Sequence, residues 1–223
     1  MAGLAIIALL INAFFITLSN PGATAIASRE ARQAHEPQLT IQQDAMARRA
    51  AEQVASERAQ FMARYLNTDV ARNKGNIKVA LVVASETGEM DSAIGSALAL
   101  HFNTNNVEII SSFFKPAFVS DGLFTQLLSG QSNVTDRLEL AKSLSALLLG
   151  RETVRYSRNP SLQNVLTADI DLQVVIVPVA GGISGKTWTL SGTGAGFNEG
   201  AARSLAQERL IKEIAKDTKM SFN

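Results

Sequence analysis

The sequence predicts an α/β domain with a mixed sheet. Parallel strand–helix crossovers come first, antiparallel strands and a C-terminal helix come last, and a long N-terminal helix precedes them. Three stretches carry this expectation. Lys78–Ala84 is a continuous apolar run, Met90–Phe102 repeats Ile94, Leu98 and Phe102 at helical spacing, and Val107–Ile110 is a second short apolar run, so the order is strand, helix, strand. Asp171–Val179 is β-branched and apolar, Ala180–Gly185 holds turn residues, and Lys186–Leu190 alternates Thr187 and Thr189 with Trp188 and Leu190, which reads as a β-hairpin. After Gly192-x-Gly194-x-Gly196, Asn198 suits an N-cap, and Ala202, Leu205, Ala206, Leu210 and Ile214 share one helical face.

Ahead of this domain, assigned to residues 76–223, lie two segments of different composition. Residues 1–27 read as a signal peptide or membrane anchor. Residues 3–18 are almost wholly apolar but, at about 1.5 Å per residue, slightly short for a bilayer. Asn20-Pro21-Gly22 should break a helix there, and Ala23-Thr24-Ala25 and Ala25-Ile26-Ala27 are small-x-small cleavage patterns. The chain is therefore expected to be exported, periplasmic or envelope-associated, cleaved near Ala27 or held in the membrane through residues 4–18. Met1-Ala2 carries no basic residue, whereas Arg29 and Arg32 follow the apolar span, an arrangement that suits an anchor as well.

Residues 28–75 form an Ala-rich helical spacer or arm. The part from 38 to 72 contains neither Gly nor Pro and predicts a helix of about eight turns, entered after Pro37 with Thr40 as a cap. Ala47, Ala50, Val54, Phe61 and Tyr65 make a narrow stripe interrupted by Arg58, which suits a weak helix contact or a spacer better than a core helix. Asn73–Asn76 reads as the linker.

Within the domain, Ser85–Gly88 is a turn, and Phe113–Leu128, broken by Pro116 and Gly122, is a loop followed by a short helix. A helix capped by Asn133 or Thr135 is expected to run to Leu149, with Leu140, Leu144, Leu147 and Leu148 as its apolar set. Glu152–Tyr156 alternates as a strand, and Asn159-Pro160 turns the chain into the hairpin.

The chemistry-bearing residues are sparse. A formal net charge of +1 and the lack of any Lys/Arg run give no field for nucleic acid. With no cysteine, thiolate chemistry, disulfides and an acylated lipoprotein cysteine are excluded, and His35 and His101 have no metal-ligand spacing. Ala180–Thr187 fits a relaxed phosphate-loop pattern around Lys186, but a strand follows where the chemistry needs a helix. Gly192, Gly194 and Gly196 form a structural corner in which small residues let strand and helix pack closely. A nucleotide-binding enzyme using Lys186 and the Gly192–Gly196 corner is the alternative function. Asp169 and Asp171 face one side of a strand, where a solvated edge or a bound cation are the two readings. Glu86, Glu89 and Asp91 surround the first strand-to-helix turn, where acids also favour the helix dipole. Phe113, Phe114 and Phe118 around Pro116 are the candidate partner contact, with burial beneath a loop as the competing reading. No catalytic, cofactor-binding or metal site is assigned.

Several runs together resemble a bacterial envelope family. They are Val79-Ala-Leu-Val-Val, Ser92-Ala-Ile-Gly-Ser-Ala-Leu-Ala-Leu100, Val107-Glu-Ile-Ile-Ser-Ser, Leu128-Ser-Gly130 and Leu140–Gly150. The family groups the curli secretion channel subunit, the penicillin-binding-protein activator lipoprotein, the amino-terminal domain of the Tol translocation protein and flagellar outer-ring accessory proteins. Gly192-x-Gly194-x-Gly196 followed by Ala201-Ala-x-x-x-Ala206 is also similar to small envelope lipoproteins with an Ala-rich final helix. The resemblance covers about residues 77–216. It implies a non-enzymatic domain that binds an envelope protein or its own copies, as a homo-oligomer or a member of a larger secretion, flagellar or cell-wall assembly. The missing lipobox cysteine departs from it. So does the region from Asn159 to Leu190, which is too short for barrel-lining hairpins. A secreted structural subunit without a specific ligand is a third reading.

Overall fold

The computed structural model describes residues 21–67, 77–103, 106–131, 133–158, 164–180 and 183–222, with side chains in the first helix described from residue 42. The apolar span 3–18, the Asn73–Asn76 linker and the Asn159-Pro160 turn lie outside the described residues. Among the described residues no helix is long and apolar enough to cross a membrane. The chain divides into two units, Met1–Glu57 and Arg58–Asn223.

The first unit carries most of helix α1, Pro21–Tyr65. The described part of the helix already begins at Pro21, well before Pro37. At Pro37 the flanking Ala, Arg, Glu and Gln residues, all strong helix formers, carry the helix across one absent donor. Gln42 to Glu57 are exposed around the whole helix, and Gln53 Nε2 donates to Glu57 Oε1 at 2.9 Å one turn on.

The second unit is a five-stranded sheet with helices on both faces. Its elements are β1 (Ile77–Ser85), α2 (Ser92–Phe102), β2 (Val107–Ile110), α3 (Ala117–Ser120), α4 (Leu123–Leu128), α5 (Asn133–Arg137), β3 (Ala146–Arg158), β4 (Leu166–Pro178), β5 (Lys186–Gly196) and α6 (Glu199–Lys216). Strand order is β2-β1-β3-β4-β5. β1 runs parallel to β2 and β3, while β3–β4 and β4–β5 are antiparallel. The mixed α/β class and the parallel-then-antiparallel order are those the sequence predicts.

Strand periodicity explains how the core divides. β1 is buried on both faces, as a central parallel strand should be, and so lacks alternation. Its odd residues Val79, Leu81 and Val83 join Ile94 and Leu98 of α2 and Ala202, Ala206, Leu210 and Ile214 of α6. Its even residues Ala80, Val82 and Ala84 join Phe118, Phe124, Leu127 and Val134 from the opposite layer. Each fully buried Leu or Ile contributes about 1.5–3 kcal/mol.

The helix expected from residue 133 to Leu149 is replaced by two different structures. α5 ends at Arg137, a 3₁₀ turn covers Leu140–Lys142, and Ala146 begins β3. Leu147, Leu148 and Leu149 lie in the middle of the sheet, fully buried. A two-sided strand and a helix share the same apolar run, and the pairing with β1 selects the strand. The expected short helix before Leu128 is likewise two, α3 and α4, separated at Gly122 with a φ of 79° that favours glycine.

The last two turns of α1, Arg58–Tyr65, belong to this unit. Tyr65 and Leu66 are buried, and Tyr65 Oη donates to Asp121 Oδ2 at 3.1 Å. Arg64 pairs with the same carboxylate, Arg58 pairs with Glu139, and Lys115 Nζ donates to the Ala63 carbonyl at 2.7 Å. The backbone is tied as well: Lys115 N donates to Tyr65 O at 2.8 Å and Asn67 N to Phe113 O at 2.9 Å. Burial, then the Asp121 hydrogen bond, pushes the Tyr65 phenol up from its ordinary value.

Candidate functional site

The order 2-1-3-4-5 has a switch point. β1 crosses to β2 through α2 on one face and β2 crosses to β3 through α3–α5 on the other, so the chain diverges between the carboxyl ends of β1 and β3. In open α/β sheets this is where ligands bind. In this chain the crevice is occupied by the protein's own side chains. β1 ends in a turn in which Ser85 N donates to Glu89 O at 2.8 Å and Gly88 takes a φ of 84°. The turn delivers Asp91 to the start of α2, where its Oδ1 accepts from Ala93 N and Ile94 N, both at 2.9 Å. Its Oδ2 accepts from Gln207 Nε2 of α6 at 2.9 Å.

Glu152 meets this group from β3, in register with Ser85 of β1 and Leu172 of β4. It has no exposed surface. Nη2 of Arg203 donates to both of its oxygens, at 3.1 and 3.2 Å. Burial pushes the Glu152 carboxyl above the ordinary glutamate range, Arg203 pulls it back, and the Asp91 charge raises it again. Asp91, Glu152, Arg203 and Gln207 thus tie the start of α2 and the middle of β3 to α6. A cleft of about 200 Å³ opens beside them between Met90, Ser92, Ser96, Ser111 and Ser112.

A second feature is a bare half-sheet. Beyond the helices α3–α5, one face of β3, β4 and β5 presents Arg151, Thr153, Arg155, Asp169, Asp171, Gln173, Thr189, Ser191 and Thr193, all exposed or half-buried. Its charges are matched across strands. Arg155 pairs with Asp171, Thr193 Oγ1 donates to Asp169 Oδ1 at 2.7 Å, and Thr153 Oγ1 donates to Glu86 Oε1 at 2.9 Å. Asp169 and Asp171 therefore take part in a solvated, internally paired surface. Among the described residues no group of three or more His, Asp or Glu could hold a metal ion.

Other sequence-derived candidates land elsewhere. Phe113, Phe114 and Phe118 are 4%, 3% and 0% exposed, and Phe114 stacks on Phe118 at 3.9 Å, so these rings build the core rather than a surface. Pro116 turns the chain inward into α3 and carries Phe118 with it. Lys186 opens β5 with no helix after it, and its Nζ donates to the Ser221 carbonyl at 3.2 Å. Gly192, Gly194 and Gly196 lie inside β5 rather than in a corner after it, and the backbone of α6 covers them. A Cβ at these positions would meet α6 atoms at 2.4, 2.3 and 2.6 Å. No phosphate fits over them, which removes the basis of the nucleotide-binding alternative. Asn198 caps α6 as expected, accepting from Ala201 N at 2.8 Å. His101 Nε2 is 3.2 Å from the Met220 carbonyl oxygen, a contact that fastens the C-terminal tail.

No family model and no curated protein matches the sequence. Among solved structures, the chain is similar to hypothetical protein CT253 from Chlamydia trachomatis, at 12% identity over 63% of this chain and 94% of that one, with a TM-score of 0.40. Lipoprotein GNA1162 from Neisseria meningitidis matches at 16% identity over 63% and 99%, TM-score 0.28. Protein XCC0632 from Xanthomonas campestris matches at 12% over 68% and 86%, TM-score 0.24. One of the three is named a lipoprotein, and none bears the name of the curli, penicillin-binding-protein activator, Tol or flagellar proteins. Likenesses of this size establish no family and decide no function.

Proposed function

We propose that this is a non-enzymatic bacterial envelope protein that works by binding a protein partner or its own copies within a larger envelope assembly. The observation that supports it most is the bare half-sheet of β3–β5. It is broad and polar, and the other face of the same sheet is packed by α6 over a glycine stripe. Such a surface suits recognition, while the acids at the switch point are engaged in holding elements together. The apolar span 3–18 and the small-x-small motifs ending at Ala25 and Ala27 support export or anchoring.

Fractionation of cells with intact-mass measurement of the native chain tests this reading. Recovery with the envelope, as a chain beginning at Ile26 or Ser28 or as an anchored full-length chain, is the expected result. A full-length chain in the cytosolic fraction would overturn it.

A further inference from the structure

β5 is the outermost strand on one side of the sheet. Its eleven residues, Lys186–Gly196, contain no proline and, after Lys186, no charge. Edge strands are usually blunted by short length, charge or proline. The pairing register decides which main-chain groups of β5 point outward. Val179 N donates to Ser145 O at 3.0 Å where the β3–β4 ladder begins, and the register there opposes odd residues to odd ones. Main-chain groups alternate sides along a strand, so the even residues of β4 face β5 and bond its even residues. The odd residues Thr187, Thr189, Ser191, Thr193 and Ala195 therefore aim N–H and C=O at the open edge. Arg209 of α6 agrees, since its Nη1 donates to the Thr193 carbonyl at 2.7 Å. Among the described residues, none bonds to the outward main-chain groups of Thr187, Thr189 or Ser191. We propose that this half of the β5 edge is a strand-addition site for an extended, uncharged polar segment of a partner protein, with Arg209 closing its far end.

Steric and chemical fit select that occupant. Neighbouring strands lie about 4.7–4.9 Å apart, whereas packed helices keep their axes about 8–10 Å apart. α6 runs so closely over Gly192, Gly194 and Gly196 that no Cβ fits beneath it. A second copy pairing its own β5 here would bring its α6 into the same space, so the added strand must carry no such helix. Its side chains would alternate between the two faces of the sheet. On the open face they meet Thr187, Thr189 and Ser191, exposed hydroxyl side chains that favour Thr or Ser opposite them. On the α6 face a hollow of about 250 Å³ lies beside Leu190, lined by Glu213, Lys216, Asp217 and Lys219. Two acids and two lysines leave no net charge there to select a charged residue. This inference rests on the reading of the protein as one that binds partners, and it adds the site and the mode: main-chain hydrogen bonds supply affinity and alternate side chains supply choice.

The test uses the full chain in its own cells, with a photo-crosslinking residue at Thr187. Thr189→Pro deletes an outward N–H and no bond to β4, whereas Thr189→Ala leaves the main chain intact. Discrete adducts with another protein are expected from the otherwise unchanged chain and from Thr189→Ala, reduced about tenfold or more by Thr189→Pro. Adducts unaffected by the proline, or adducts with a second copy only, would overturn the proposal. Adducts from a crosslinking residue at Gln173 with none from Thr187 would sink the edge site alone, and none from either would sink the partner-binding reading with it. Hydrogen exchange of the purified chain gives an answer even if Thr189→Pro does not fold. The Thr189 and Ser191 amides should exchange about tenfold or more faster than those of Leu190 and Gly192, which face β4. A smaller difference would show that the edge is already covered and contradict the proposal.

Discussion

Gly194 of β5 lies so close beneath Ala202 of α6 that a methyl group on it would sit 2.3 Å from the Ala202 carbonyl oxygen. The Ala206 amide nitrogen is equally near, at 2.3 Å. Both obstacles are backbone, so no rotamer change relieves them. Gly194→Ala must lift α6 from the sheet, and the expected loss is about 3 kcal/mol or more, at or above the upper end of ordinary overpacking. Denaturant midpoints at unchanged slope measure it. A loss below about 1 kcal/mol would mean that α6 does not pack this closely.

Gly95 of α2 gives the opposite result. It is buried, but a Cβ there meets only Val83 Cγ2, at 3.9 Å, an ordinary contact. Gly95→Ala gains helix propensity without a clash and should stabilise the protein by about 0.5–1 kcal/mol. Equal destabilisation by Gly95→Ala and Gly194→Ala would show that local crowding does not govern the glycine positions.

Phe118 is fully buried and stacked on Phe114. Phe118→Ala should cost about 3–5 kcal/mol in thermal or denaturant unfolding. A variant of unchanged stability that had lost only a binding partner would place the ring at a surface instead.

The class of the fold is legible in the sequence because α2, the β4–β5 hairpin and α6 each carry one clear period, while β1 and β2 are short apolar runs on either side of α2. Residues 140–149 are not, for a physical reason. Leu140, Leu144, Leu147 and Leu148 satisfy helical spacing, while Leu147–Leu149 are buried on both faces of a central strand and show no alternation. Starting β3 at Ala146 rather than near Glu152 also fixes which of its residues face α6. Even positions do, and Glu152 is even, which turns an apparent surface acid into a buried one. Asp91 is visible as an acid at a helix start. Its partner Gln207, and the Glu152–Arg203 pair, lie far along the chain and come together only in the folded sheet. The one signal for them is the alternation of β3 extended back through the Leu run.

Arg203→Met removes the only cation that an ion pair among the described residues gives Glu152. Loss of one partner of a fully buried pair costs about 3–5 kcal/mol, and because Arg203 is partly exposed a smaller value of about 2 kcal/mol is expected at neutral pH. Without Arg203 the Glu152 titration moves further up, so the penalty grows as pH rises and shrinks toward pH 4, where the acid is protonated in both proteins. Melting temperatures across pH read this directly. A penalty that does not change with pH would exclude titration of Glu152 as its cause.

If the bare β3–β5 face is the working surface, a partner in the cell must come within reach of its side chains. A photo-crosslinking residue placed in cells at Gln173 or Ser191, both exposed on that face, reads this out, with the exposed Lys212 of α6 as the reference position. Discrete adducts, with one envelope protein or with a second copy of the chain, are expected from Gln173 and Ser191 but not from Lys212. Absence of adducts from the sheet positions in the folded protein, or equal labelling from all three, would show that this face is not where the protein binds.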